Sequence, residues 1–225
     1  MKQFMICLLI FLPLSVASKT TKEAHFISLE RVHPTQAFIG LDQIPSKIKK
    51  IEKKYKKNKL TEYLKEKWTP AIIGPDNKYW IIDRHHLSYS ILKSKIPNKK
   101  QGLFIKVIFD WSSYSWSYFK ERMNDKSFLY LKDDKFKPIT FEELPLSIGK
   151  LRDNPYRSLA YFAREKNCFN KVNVPFLEFT WGEYFYKKGI SISDKINYKK
   201  PIKQALKLCK HDSARHLPGF ISRKN

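Results

Sequence analysis

Ala71-Ile72-Ile73-Gly74-Pro75-Asp76-Asn77-Lys78-Tyr79-Trp80-Ile81-Ile82-Asp83-Arg84-His85-His86-Leu87 holds two apolar runs separated by a turn, and the second run passes straight into four polar residues. Short runs of β-branched and aromatic residues bounded by Gly, Pro, Asp and Asn predict strand, turn, strand. Leu87, Ile91 and Leu92 then recur at helical spacing until Pro97 and Asn98. Asp83-Arg84-His85-His86 therefore stands where a strand ends and a helix begins.

Outward from this unit the same alternation continues. After it, Gly102 precedes an apolar strand over residues 103–109. Before it, Phe26, Ile27 and Leu29 predict a short strand over residues 25–29. Ile44, Ile48, Ile51 and Tyr55 predict an amphipathic helix opened near Pro45, and a second short helix falls over residues 61–67. Lys47, Lys49, Lys50, Lys53, Lys54, Lys56, Lys57 and Lys59 crowd the first of these helices, as a solvated face or a polyanion-binding stripe. Strands alternating with helices give an α/β (α+β) fold class for this part.

Beyond Asp110 the periodic segments are helical and aromatic. Trp116, Phe119 and Met123 share one face of a segment over residues 112–123. Asp153-Asn154-Pro155 caps a helix running to about Lys166, and a further helix starts near Pro175 with Phe176, Phe179, Trp181 and Phe185. These rings read as core, with base stacking as the alternative use. From Ser191 the chain is basic and polar apart from Ile202, Ala205 and Leu206, and reads as a tail.

Residues 1–17 carry Lys2, an apolar run from Phe4 to Val16 and the small-residue end Ser15-Val16-Ala17, the pattern of a secretory signal peptide. The run is shorter than the roughly 20 residues a transmembrane helix needs. The expected destination is the periplasm or the exterior, with no transmembrane segment after cleavage. Cys168 and Cys209 would be free to pair there, or to stay as buried thiols. The formal net charge is +23, of which the signal holds only Lys2. Such a surface attracts polyanions, nucleic acid among them, in a salt-dependent way.

The four polar residues carry the chemistry. A helix N-terminus offers free backbone N–H groups and a positive dipole end to an anion. Arg84 would clamp a phosphate with its planar fork, and His85 or His86 would move a proton near neutral pH. Asp83 would cap the helix, orient a histidine or hold a divalent cation. Arg157 and Arg164, seven residues apart, share a helix face suited to phosphate or to surface ion pairs. Glu178, inside an apolar stretch, is a metal ligand or the partner of a buried arginine.

His33-Pro34-Thr35-Gln36 with Gly40, Pro70 to Asp76, and Ile82 to Leu87 resemble successive blocks of the ParB-like nuclease family, within the ParB/sulfiredoxin-like superfamily. The similarity runs on through Asp110-Trp111-Ser112, Phe119 to Met123, Asp153 to Ala160, Arg164, and Pro175 to Phe179. It spans about His25 to about Tyr186. Partition proteins carry Gly-Glu-Arg-Arg at the corresponding turn and sulfiredoxins Gly-Cys-His-Arg, and both turns meet nucleotide phosphates. The turn here has no cysteine, which removes sulfiredoxin's thiol chemistry, and it lacks the glycine and paired arginines of the partition proteins' CTP switch.

The resemblance implies a ParB/sulfiredoxin-like domain over residues 18–110, a family-specific helical half over 111–190 and a basic tail over 191–225. It implies phosphate contacts at Arg84, Arg157 and Gln36, and catalytic roles for Asp83, His85 and His86. The expected activity is phosphodiester hydrolysis on nucleic acid, assisted by Mg or Mn at Asp83 and Glu178. A nucleotide-binding phosphotransferase or nucleotidase, or a non-catalytic polyanion binder, are the alternatives.

Overall fold

A computed structural model describes residues 23–192 and 198–222, so the expected signal peptide lies outside the described residues. In chain order the strands are β1 (His25–Ser28), β2 (Val32–Pro34), β3 (Phe38–Ile39), β4 (Thr69–Ile73), β5 (Tyr79–Ile81), β6 (Gly102–Asp110) and β7 (Arg152–Asp153). The α-helices are α1 (Ile44–Lys56), α2 (Leu60–Glu66), α3 (His85–Lys93), α4 (Trp116–Asp125), α5 (Pro155–Arg164), α6 (Leu177–Lys187) and α7 (Lys199–Leu208).

Five strands form one mixed sheet in the order β1-β6-β4-β5-β2. β1/β6 and β4/β5 are antiparallel, whereas β4/β6 and β2/β5 are parallel. Alternation along β6 explains the layering. Leu103, Ile105 and Val107 are buried on one face, with Ile44 and Ile51 of α1, Leu60 and Leu64 of α2 and Ile91 of α3 in the same core. Each such fully buried side chain contributes roughly 1.5–3 kcal/mol. On the opposite face, Ile72 and Trp80 are buried with Trp111, Phe119 and Met123. The α/β part and the helical half thus share a core across the expected boundary at residue 110.

β3 and β7 form a separate two-stranded parallel pair, Phe38 opposite Arg152 and Ile39 opposite Asp153. Asp153 Oδ1 accepts the Leu41 N–H at 3.0 Å beside it. The pair brings the start of α5 against the chain that leads into α1.

Two expectations are corrected, the start of α4 and the segment after Ser191. The helix expected from Ser112 starts at Trp116, because the N–H and hydroxyl of Ser112 both bond Asp110 Oδ1 in a turn, and Ser115 is the residue that caps α4. α6 starts at Leu177, two residues after Pro175, with Phe176 left-handed at φ 55° before it. The segment after Ser191 is no tail over residues 198–222: Ala205, Cys209, Ala214 and Leu217 are buried with α5 and α6. Cys168 and Cys209 form a disulfide with Cα atoms 5.5 Å apart. The Tyr198 hydroxyl donates to Asp42 Oδ2 at 2.6 Å, anchoring the start of α7 beside the chain before α1. No helix among the described residues is long and apolar enough to cross a membrane.

Candidate phosphate-binding cleft

The strand-to-helix turn is tight. After β5, the Ile82 N–H donates to Pro70 O at 3.1 Å. Asp83 Oδ1 accepts the N–H of Arg84 at 2.6 Å, and Arg84 itself is left-handed, with φ 69° and ψ 18°. A non-glycine residue held there costs about 1–2 kcal/mol, so the surrounding contacts must overdetermine it. The hydroxyl and N–H of Ser88 both donate to Arg84 O, tying the residue to the first turn of α3.

The two histidines after it point back into the protein. His85 is buried, and its Nε2 accepts the Thr35 N–H at 3.1 Å; the Thr35 hydroxyl in turn donates to Ile81 O at 2.8 Å. His86 Nε2 accepts the Gly40 N–H at 3.1 Å, with Gln43 Nε2 at 3.5 Å. With Nε2 accepting a backbone donor, each neutral ring carries its proton on Nδ1. Burial holds the His85 pKa down to about 4, with Asp83 opposing the drop and Arg157 adding to it. Burial, and then the charges of Arg157 and Lys47, hold His86 well below the usual histidine range. Both rings are therefore neutral at pH 7.

α5 supplies the facing wall. Asn154 Oδ1 accepts the Arg157 N–H at 3.0 Å and Pro155 opens the helix, so Arg157, Tyr161 and Arg164 fall at helical spacing on one face. Glu178, in the first turn of α6, stands between the two arginines. Its Oε2 lies 3.4 Å from Arg157 Nη2 and its Oε1 3.2 Å from Arg164 Nε. Arg157 Nη1 is buried without a hydrogen-bond partner. The Lys47 ammonium lies over the Tyr161 ring at 5.8 Å, and its pKa is lowered by burial and by Arg157.

These elements enclose a cleft of about 630 Å³. Gln36, Asp83, Arg84, His85, His86, Arg157 and Glu178, the residues singled out from sequence, all line it. The Gln36 amide is committed to Phe38 O within the β2–β3 segment. Sequence reasoning left out Lys126, Tyr161 and Lys171 and named Lys47 only as one lysine of the α1 stripe; all four line it too. Tyr161 was findable as the residue between Arg157 and Arg164 on their face, while Lys47 had no signal separating it from its neighbours on α1. Lys47, Arg84, Lys126, Arg157, Arg164 and Lys171 stand against two carboxylates, Asp83 and Glu178, and Glu178 is engaged by arginine on both oxygens. Asp83 is the more exposed of the two, with 65% of its side chain exposed, and its Oδ2 lies 3.7 Å from Arg84 Nε. Among the described residues no cluster of three or more His, Cys, Asp or Glu is placed to hold a metal. Chemically, the arrangement suits an anion with several oxygens, a phosphate above all.

The family model described as "Putative ParB-like nuclease" matches residues 25–187, which take in every element that builds the cleft. The crystal structure of protein Atu1540 from Agrobacterium tumefaciens superposes with a TM-score of 0.73, covering 89% of this chain and 98% of that chain at 24% sequence identity, and so shares the fold. No curated protein matches the sequence.

Proposed function

The chain belongs to the ParB-like nuclease family, and from that membership we propose that the cleft grips the phosphodiester backbone of nucleic acid and hydrolyses it. The observation that carries this reading is the charge of the cleft, six cationic side chains against the two carboxylates Asp83 and Glu178. A phosphoryl group seated between Arg84 and the unpartnered Nη1 of Arg157 would meet both guanidinium groups. Their charge offsets the negative charge that builds as a water oxygen bonds to phosphorus and the bond to the leaving oxygen breaks. Asp83 takes the proton of the attacking water, the leaving oxygen departs with the bonding electron pair and takes a proton from solvent, and the turn held by His85 and His86 keeps Arg84 and Asp83 in place. Asp83 is also the side chain that would meet a Mg or Mn ion arriving with the phosphate, and such an ion supplies further polarisation of the phosphoryl oxygen.

One observation favours a second reading, binding without cleavage. Both histidine Nε2 atoms are occupied by backbone donors, so neither ring offers that nitrogen as a base. Labelled single-stranded DNA, duplex DNA and RNA, each incubated with the protein in Mg, Mn or chelator, separate the two. Hydrolysis predicts cleavage that Asp83→Asn reduces by roughly 100-fold or more while binding persists. Salt-sensitive binding of these polymers with no cleavage under any of the conditions leaves the second reading and rejects the first.

The reading includes export. The sequence of residues 1–17 supports it, and so does the disulfide between Cys168 and Cys209, which an oxidising compartment permits. Fractionation of cells with N-terminal sequencing of the recovered protein tests it: retention in the cytoplasm rejects export, and an intact Met1 on protein from the periplasm or medium rejects cleavage of residues 1–17.

A further inference from the structure

On the second face of the sheet Ile72 and Trp80 lie beneath α4, but toward β1 the same face carries Phe26, Trp68, Pro70, Phe104 and Lys106, none of which, among the described residues, joins the aromatic core under α4. Their placement follows from register. Phe26 pairs with Phe104 and Pro70 with Lys106, while the alternating residues Leu103, Ile105, Thr69 and Ala71 are buried on the other face. Phe26 and Trp68 are 43% and 42% exposed, far more than aromatic rings in a closed core. Phe26 meets Phe104 edge-on with centroids 5.6 Å apart. Its ring also covers Gly102, whose missing side chain leaves the room for it.

Two lysines sit over these rings. Lys65 Nζ lies 5.5 Å from the Phe104 centroid and Lys106 Nζ 5.5 Å from that of Trp68, and neither has a carboxylate partner among the described residues. The track adjoins the cleft, because Pro70 lines the cleft, accepts the Ile82 N–H that opens the Asp83-Arg84 turn, and pairs with Lys106. From β4 across β6 to β1 is two strand spacings, roughly 10 Å.

We infer that this face binds single-stranded nucleic acid, its bases stacking on Trp68, Phe104 and Phe26 and its phosphates meeting Lys106 and Lys65, as an extension of the strand held in the cleft. The inference rests on the nucleic-acid reading of the cleft and names its substrate class: a strand whose bases are unpaired. Sequence-tolerant single-strand binding elsewhere combines the same two elements, exposed rings for the bases and lysines along the backbone. A duplex keeps its bases stacked inside and has nothing to offer the rings.

The test uses the full chain, a fluorescein-labelled oligothymidylate and a duplex of equal length, read by anisotropy at fixed salt. Trp68→Ala and Phe26→Ala should each weaken single-strand binding by roughly 5- to 50-fold, Trp68→Phe should recover most of the loss, and duplex binding should stay within about twofold. Melting curves check that the variants fold. If the aromatic variants bind the single strand as the parent does while Arg84→Gly weakens it, the track is overturned and the cleft reading stands. If the aromatic variants lose affinity and Arg84→Gly does not, the track stands and the cleft reading falls. Binding of neither oligonucleotide overturns both. A concentration-dependent dimer that Trp68→Ala dissolves, with oligonucleotide binding unchanged, assigns the face to a second copy and overturns the track.

Discussion

His86 and Gly40 are joined across 46 residues of sequence, the Gly40 N–H donating to His86 Nε2 over 3.1 Å. The bond fastens the first turn of α3 to the chain between β3 and α1. Replacing the imidazole by a methyl group leaves that N–H without its partner, at a cost of about 1–3 kcal/mol. His86→Ala should therefore lower stability by that amount in urea denaturation, and His86→Gln, which can place an acceptor nearby, should recover part of it. Loss of turnover in a fully folded His86→Gln protein would instead give the ring a part in the chemistry.

Acid should act through the same turn. The His85 pKa falls from 6.5 to about 4 on folding. Between those values the unfolded chain binds a proton that the folded chain refuses, so stability is full above pH 6.5 and is lost as pH falls toward 4. The linked loss is on the order of 3 kcal/mol for His85, with His86 shifted in the same direction. Denaturation midpoints at pH 7 and pH 4.5 check it: His85→Gln should flatten the difference, and an unchanged slope rejects the assignment.

Arg84 separates stability from binding. Its left-handed backbone costs about 1–2 kcal/mol for a side-chain-bearing residue, against about 0.5–1 kcal/mol of extra chain entropy for glycine. Arg84→Gly should leave stability unchanged or raise it by up to about 1 kcal/mol. Oligonucleotide affinity should fall by roughly 10- to 100-fold with the loss of a charge-assisted contact. Anisotropy titration and thermal melting on the same sample measure both.

Gly40 also decides how closely α5 approaches. A Cβ at this position would lie 2.8 Å from the Ser158 backbone nitrogen and 2.6 Å from its hydroxyl. Gly40→Ala should cost about 1–3 kcal/mol of stability and weaken phosphate binding, since the displaced helix turn carries Arg157. A protein that melts and binds like the parent would remove this constraint.

The Cys168–Cys209 disulfide closes a separation of 41 residues. Cys168→Ser with Cys209→Ser should destabilise by about 2–4 kcal/mol, and reductant should have the same effect on the parent. Identical denaturation curves with and without reductant would refute it.

The sequence made the turn legible because a change of period, from strand to helix, coincides with Asp83-Arg84-His85-His86. Asn154-Pro155 likewise announced α5 and so placed Arg157 and Arg164 on one face. The function of the imidazole nitrogens was not legible. Their partners are the backbone N–H groups of Thr35 and Gly40, which any residue would supply, so no side-chain pattern marks the pairing. The same reason hid Lys47 among the other lysines of α1. The burial of the segment after Ser191 is not legible because its apolar residues are few; Ala205 and Cys209 are small, and it is packing with α5 that makes them core.

The short pairing of β3 with β7 has a consequence for any attempt to shorten the chain. Residues 38–39 pair with residues 152–153, and that pairing sets the start of α5, which carries Arg157, against the part of the chain that lines the cleft with Arg84. A fragment ending at Asp110 would have the turn but half the anion grip, an edge without its neighbour, and Trp80 stripped of Phe119. Made from its N-terminus forward, the chain lacks one whole wall of the cleft until α5 and α6 have been synthesised.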